Sequence, residues 1–238
     1  MTLKWKILLI LAVAFPYYKI ATWKFMVASA VIFFIYHRFH AETYRAKLGV
    51  MFPKSQLPGA VGLWLFCAVA TEFSIQSLLK NSDITKGSPV LFGLWFLQPL
   101  FQSLNEEMLL RSLFLKWLVE HLKLTLTKLN FLMALVFAGL HFLFCTVLYH
   151  TNLDPLAGLT IFFATLAMNK MYFKTENILY TWAIHFGINF SFFGGEYART
   201  GAQILNDAEK FNLVYGRPEV VGASLLFLAL TTLWVRRT

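Results

Sequence analysis

A chain of 238 residues with 58% hydrophobic, 17% aromatic and only 14% charged residues is too apolar for a soluble domain, in which about 45–50% of residues are apolar and about 25% charged. The composition points to a polytopic membrane protein. The formal net charge of +9 does not signal nucleic-acid binding, because the basic residues stand in short segments between apolar runs, where Lys and Arg set membrane orientation.

A membrane-crossing helix needs about 20 mainly apolar residues. The sequence predicts eight spans, at 3–18, 20–36, 59–79, 88–115, 130–149, 153–173, 177–193 and 219–235. No polar linker, low-complexity tract or fixed-period repeat divides them, so residues 1–238 read as a single all-α integral membrane helix bundle. The first two spans are short and joined by a tight turn at Pro16-Tyr17-Tyr18-Lys19. An alternative takes Met1–Lys6 as the basic start of a signal peptide, with a small-residue cleavage site at Ala12-Val13-Ala14, leaving seven spans. The fourth span is long, and Pro99 predicts a kink in it. Asp154-Pro155 reads as a helix start, with Asp as the N-cap and Pro in the first position. With the N-terminus in the cytoplasm, cytoplasmic segments hold 13 Lys and Arg against 7 on the other side, which favours cytoplasmic N- and C-termini in a multi-pass protein of the cell membrane. The loop 194–218 then lies on the non-cytoplasmic side as a short surface helix or a lid.

Cys67 and Cys145 both fall in apolar spans without a CxxC or Cys/His cluster, so they read as inert buried thiols. His37, His40, His121 and His150 fall in loops or at span ends and read as solvated. Glu72 lies inside the third span with no evident sequence neighbour to pair with.

An ionisable group at mid-membrane costs about 2.5–3.5 kcal/mol on insertion scales, so it is rarely there without a task. The fourth span carries Glu106, Glu107 and Arg111 in N-E-E-M-L-L-R. Glu107 and Arg111 are four apart, share a helix face and can pair. Glu106 is rotated by about 100° and needs another partner. His141 stands in the fifth span, four residues after Phe137; the seventh carries His185 and Asn189, also four apart. Counted from the cytoplasmic ends of their spans, Glu106, His141 and His185 lie at a common depth of about 12–17 Å. A layer of a carboxylate, two imidazoles and an amide suits hydrolysis. An apolar setting makes a carboxylate a better general base, and an amide and an imidazole can steady an oxyanion. The same Glu106, His141 and His185 could instead hold a zinc ion with an open water position, although no H-E-x-x-H helix accompanies them.

Taken together and in this order, E-E-x-x-x-R at Glu106, Glu107 and Arg111, F-x-x-x-H at Phe137 and His141, and H-x-x-x-N at His185 and Asn189 resemble the CAAX protease and bacteriocin-processing (CPBP) family of glutamic intramembrane proteases. The resemblance covers about residues 88–193. It implies an intramembrane endopeptidase without a cofactor, in which Glu106 is the general base, His141 helps to position the water, His185 and Asn189 form the oxyanion site, and Glu107 and Arg111 are supporting partners. The implied substrate is a membrane-associated or lipid-anchored protein or lipidated peptide. CAAX-type tail removal, leader or bacteriocin maturation and C-terminal sorting-signal processing all lie within the family's range. Two readings compete: a transporter, in which intramembrane Glu, His and Arg mark a proton or substrate route, and a non-catalytic scaffold, in which they lock helix packing.

Overall fold

The computed structural model describes residues 53–87, 92–201 and 203–237. The predicted spans 3–18 and 20–36, and the signal-peptide alternative, lie outside the described residues. Two compact units divide the chain: the described residues of the first are 53–72, 92–121 and 175–195, and those of the second are 73–87, 122–174 and 196–237.

Four helices among the described residues are long and apolar enough to cross a membrane: Lys54–Leu79, Leu126–Val147, Pro155–Thr175 and Pro218–Arg236. They fall on the predicted spans 59–79, 130–149, 153–173 and 219–235. Of the expected eight, the described part 92–115 of the span 88–115, and residues 179–192 of the span 177–193, are helical but are not of this kind. The first carries three charges and changes its winding midway. The second reaches only 14 residues, about 21 Å at 1.5 Å per residue, against a hydrocarbon core of about 30 Å.

The first unit is built on helices α1 (Leu57–Leu79), of which it takes the part up to residue 72, α2 (Phe92–Glu107), a π-helical continuation of α2 over Met108–Leu115, α3 (Lys116–His121) and α6 (Leu179–Phe192). Helix α2 runs through Pro99, whose ring carries no N–H for the helix ladder. Side chains take up carbonyls around the proline: Ser103 donates to Pro99 O at 2.6 Å, and Trp182 Nε1 of α6 donates to Leu100 O at 3.3 Å. The second of these bonds ties α6 to α2. Helix α6 is also pressed onto α1. Ser191 donates to Ala68 O at 2.7 Å, Trp64 stacks on Phe186 at 5.4 Å, and Gly187 leaves room for the α1 backbone to approach. Small residues and buried hydroxyl bonds of this kind hold helices together where lipid removes the hydrophobic drive between them. On the other side of α1, Phe66 and Val69 are exposed, as expected of a surface that faces acyl chains.

The second unit contains α4 (Leu126–Tyr149), α5 (Pro155–Thr175), α7 (Asp207–Tyr215) and α8 (Pro218–Arg237), with strands β1 (Ile84–Lys86), β2 (Tyr197–Arg199) and β3 (Gln203–Ile204). The strands form a small antiparallel sheet in the order β1-β2-β3, in register Ile84 with Arg199 and Ala198 with Ile204. The predicted loop 194–218 thus holds two strands and a helix. Its helix α7 opens with a capping box: Asn206 Oδ1 accepts from Glu209 N and Glu209 Oε2 accepts from Asn206 N, both at 2.9 Å. Asp154 caps α5 as the sequence predicts, accepting from Leu156 N at 2.7 Å with Pro155 in the first position. Asn212 of α7 then fastens this start, accepting from Asp154 N at 2.6 Å and donating to Asn152 O at 2.9 Å. An apolar cluster of Ala138, Cys145, Ala157, Ile161 and Ala208, bordered by Phe137, Phe162 and Phe211, packs α4, α5 and α7 together.

A Cβ added at Gly187 would lie 2.5 Å from Trp64 O and 2.9 Å from Cys67 Cβ. The backbone of α1 would have to move. Gly187→Ala is therefore expected to lose about 1–3 kcal/mol, as overpacked sites do, and to lower the unfolding temperature in detergent. Gly62→Ala, where a Cβ meets nothing within 4 Å, is the control and should be neutral or stabilising. Equal behaviour of the two variants would show that α1 and α6 are not in close contact.

Candidate active site

Glu106 and Glu107 are the last two residues of α2, and the helix widens to π winding at Met108. Being adjacent on a helix, they project about 100° apart, and their surroundings differ accordingly. The Glu107 side chain is fully buried. A buried carboxylate is costly unless it is paired and hydrogen-bonded, and two partners gather on its Oε1. Arg111 Nη1 pairs with Glu107 Oε1 from one turn ahead, and the guanidinium is itself buried. His185 of α6 brings Nδ1 to 2.9 Å from the same oxygen. An ionised carboxylate only accepts, so this bond assigns the proton to Nδ1. The opposite ring nitrogen, Nε2, then faces Glu106 Oε2 at 3.6 Å.

Glu106 is the more accessible carboxylate, with 14% of its side chain exposed. Its Oε1 accepts from Gln102 Nε2 at 3.2 Å, one turn back on α2. The 3.6 Å gap to His185 is longer than a direct hydrogen bond; it becomes an ion-pair contact when the imidazole is protonated. Arg111, Glu107, His185 and Glu106 thus form a continuous polar chain between α2 and α6. Asn189 stands one turn beyond His185 on α6, on the same face, and is buried. Aromatic rings surround the α6 side of this chain: Phe186 lies between Trp64 and Trp182, stacked on both, and meets Phe96 edge-on at 5.4 Å.

His141 belongs to the second unit, on α4. Its Nδ1 donates to Phe137 O at 2.9 Å, which leaves Nε2 as the acceptor of the neutral ring. The ring meets Phe137 edge-on at 4.6 Å and Phe211 at 5.5 Å. Phe137 therefore fixes both the tautomer and the orientation of His141. Among the described residues no three of His, Cys, Asp and Glu are grouped to hold a metal ion.

Spacing alone gave the pairing of Glu107 with Arg111 and the shared face of His185 and Asn189. It missed the bond between Glu107 and His185, which joins residues 78 apart in the chain. It also missed Gln102, although its place four residues before Glu106 on one helix face was visible in the sequence.

An apolar helical protein with a carboxylate–imidazole chain between two of its helices belongs to a class of membrane enzymes and carriers. The comparison with known families narrows this: the model for type II CAAX prenyl endopeptidases, Rce1-like, matches residues 88–191. Residues 88–191 are thus similar to that family, in agreement with the resemblance read from the three motifs, and the matched stretch contains Glu106, Glu107, Arg111, His141, His185 and Asn189. No curated protein and no solved structure matches the chain.

Breaking a buried ion pair by removing one partner costs about 3–5 kcal/mol, while replacing both partners by apolar groups is often close to neutral. Arg111→Met alone should destabilise strongly, measured by thermal unfolding in micelles. Combined with Glu107→Leu it should cost less than the sum of the single changes. Strict additivity would show that the two charges do not support each other.

Proposed function

We propose that this protein is an intramembrane endopeptidase that hydrolyses a peptide bond in a membrane-associated or lipid-anchored substrate by means of a water activated at Glu106. The observation that supports this reading is the asymmetry of the two adjacent glutamates. Glu107 is buried and committed to Arg111 and His185, whereas Glu106 is partly open and has the His185 imidazole 3.6 Å away. A general base must reach solvent and substrate, and a fixed neighbour must hold its surroundings in place.

The steps follow from these groups. Glu106 takes a proton from water, and the hydroxide adds to the scissile carbonyl carbon. The developing oxyanion is met by Asn189 and by His185 in its imidazolium form, whose Nε2–H can donate while Nδ1–H stays on Glu107; this is the pair that the resemblance assigns to it. Glu106 then returns its proton to the leaving amine as the C–N bond breaks. Glu107 is a positioning residue: it holds Nδ1 of His185 and so determines which ring nitrogen faces the reacting atoms. Arg111 anchors Glu107 in that position as its charge partner. The part assigned to His141, helping to hold the water, rests on motif order. Prenylated CAAX tails are the first substrate class to test, because the family matched over residues 88–191 is described by that activity. Leader peptides and C-terminal sorting signals are the other classes within the resemblance.

The test uses the purified full chain in lipid with quenched peptides, both prenylated and unlipidated. Glu106→Gln should lower kcat by about 10²–10⁴, the usual worth of a general base, and activity should survive a strong zinc chelator. Glu107→Gln should lower kcat with little change in KM and should shift the pH profile, because it acts through His185. Activity lost to the chelator and regained with zinc would replace the glutamate mechanism by a zinc-bound water at the same site. Full activity in Glu106→Gln would remove Glu106 from the mechanism.

A further inference from the structure

We propose that the second unit carries a phosphate-binding cavity, held by Arg199 and Arg217, that takes the headgroup of an anionic phospholipid. The cavity has a volume of about 370 Å³ and lies where the small sheet meets α7 and the start of α8. Its walls include Leu205 and Leu213, with Arg199, Arg217, Glu209 and Asn212 as the charged and polar members. All of its lining residues belong to the second unit, and none of them belongs to the three motifs.

The two arginines set the character of this space. Arg199 is on β2, the central strand of the sheet, where its backbone is registered against Ile84 on one side and Gln203 on the other. Arg217 sits between α7 and α8, and its carbonyl accepts from Val220 N and Val221 N, both at 3.1 Å. Both guanidinium groups therefore project from fixed backbone. Among the described residues neither is in an ion pair. The polar neighbours are already committed. Glu209 accepts from Asn206 N in the capping box, and Asn212 is bonded to Asp154 N and Asn152 O. Glu209 supplies one negative charge against two positive ones on the wall. Two guanidinium groups with no carboxylate partner and a planar donor fork each are suited to phosphate oxygens.

Location identifies the source of the phosphate. Gly216, also on the cavity wall, packs against Asp154: a Cβ there would lie 3.2 Å from Asp154 Cβ. Asp154 caps the apolar helix Pro155–Thr175, and Arg217 immediately precedes the apolar helix Pro218–Arg236. The cavity therefore opens at the ends of two helices apolar enough to cross a membrane, which is headgroup depth. Basic pockets at such ends take lipid headgroups. The volume exceeds that of a bare phosphate and leaves room for a polar glycerol headgroup.

The experiment titrates the full chain in neutral detergent with dihexanoyl phosphatidylglycerol, dihexanoyl phosphatidylcholine and inorganic phosphate, followed by calorimetry. Saturable binding of phosphatidylglycerol, tighter than that of the other two, is expected. Arg199→Gln and Arg217→Gln should each weaken it at least about tenfold, the worth of one hydrogen bond to a charged group. Lys123→Gln, an exposed charge outside the cavity, should leave it unchanged. Unfolding temperatures of the variants should match wild type, and Arg199→Lys, which keeps the charge but loses the fork, should bind with intermediate strength if Arg199→Gln does not fold. Inorganic phosphate binding as tightly as the lipid would keep the site and assign it to free phosphate. No saturable binding of either by wild type, or equal weakening by Lys123→Gln, would overturn the proposal.

Discussion

One buried carboxylate organises the first unit. Glu107 is shut away from solvent, and a charge in that position must be matched locally or it neutralises itself. Arg111 satisfies it along the helix, and His185 satisfies it across to α6. The first contact is local and follows from spacing. The second requires α6 to lie at one height and one rotation against α2, since an imidazole reaches its partner only over a hydrogen-bond length. The Trp182 bond to Leu100 O, the Ser191 bond to Ala68 O and the close approach at Gly187 fix that height and rotation from the other directions. Glu106 differs: its neighbour carries the structural duty, and 14% of its own side chain stays exposed.

The second unit meets a different constraint. Apolar helices that end at a membrane surface expose unsatisfied backbone groups there, and these need partners. Side chains supply them in a connected series. Asp154 caps α5, Asn212 holds the backbone of Asp154 and Asn152, Asn206 and Glu209 cap α7, and Thr160 of α5 donates to Tyr215 O at 2.9 Å.

Much of this was legible in the sequence because membranes penalise polar atoms so heavily. The cost of burying Glu106, Glu107 and Arg111 marked them, and the order of the three motifs pointed to the family that the comparison then found over residues 88–191. The cap at Asp154-Pro155 was readable because capping is local. Hydropathy does not report which helix lies beside which, so the reach of Glu107 to His185 stayed hidden. It also overstated the span at 177–193. Asn177 Oδ1 accepts from Leu179 N at 2.8 Å, so the helix starts only there, and it stops before Gly194 and Gly195. Strands of two or three residues are too short for a period-two pattern, which is why 194–218 gave no strand signal.

The π-helical stretch Met108–Leu115 has a consequence for how this protein can change. Bonds from i to i+5 put more residues into each turn than the α winding on either side. Every residue beyond Leu115 is therefore out of phase with a helical wheel drawn from Glu107. The length of the segment, as much as its composition, decides which faces α3 presents. A one-residue deletion there would leave Glu106 and Glu107 in step with each other while rotating all that follows, so this stretch behaves as a phase setting that substitutions can pass through but insertions and deletions cannot.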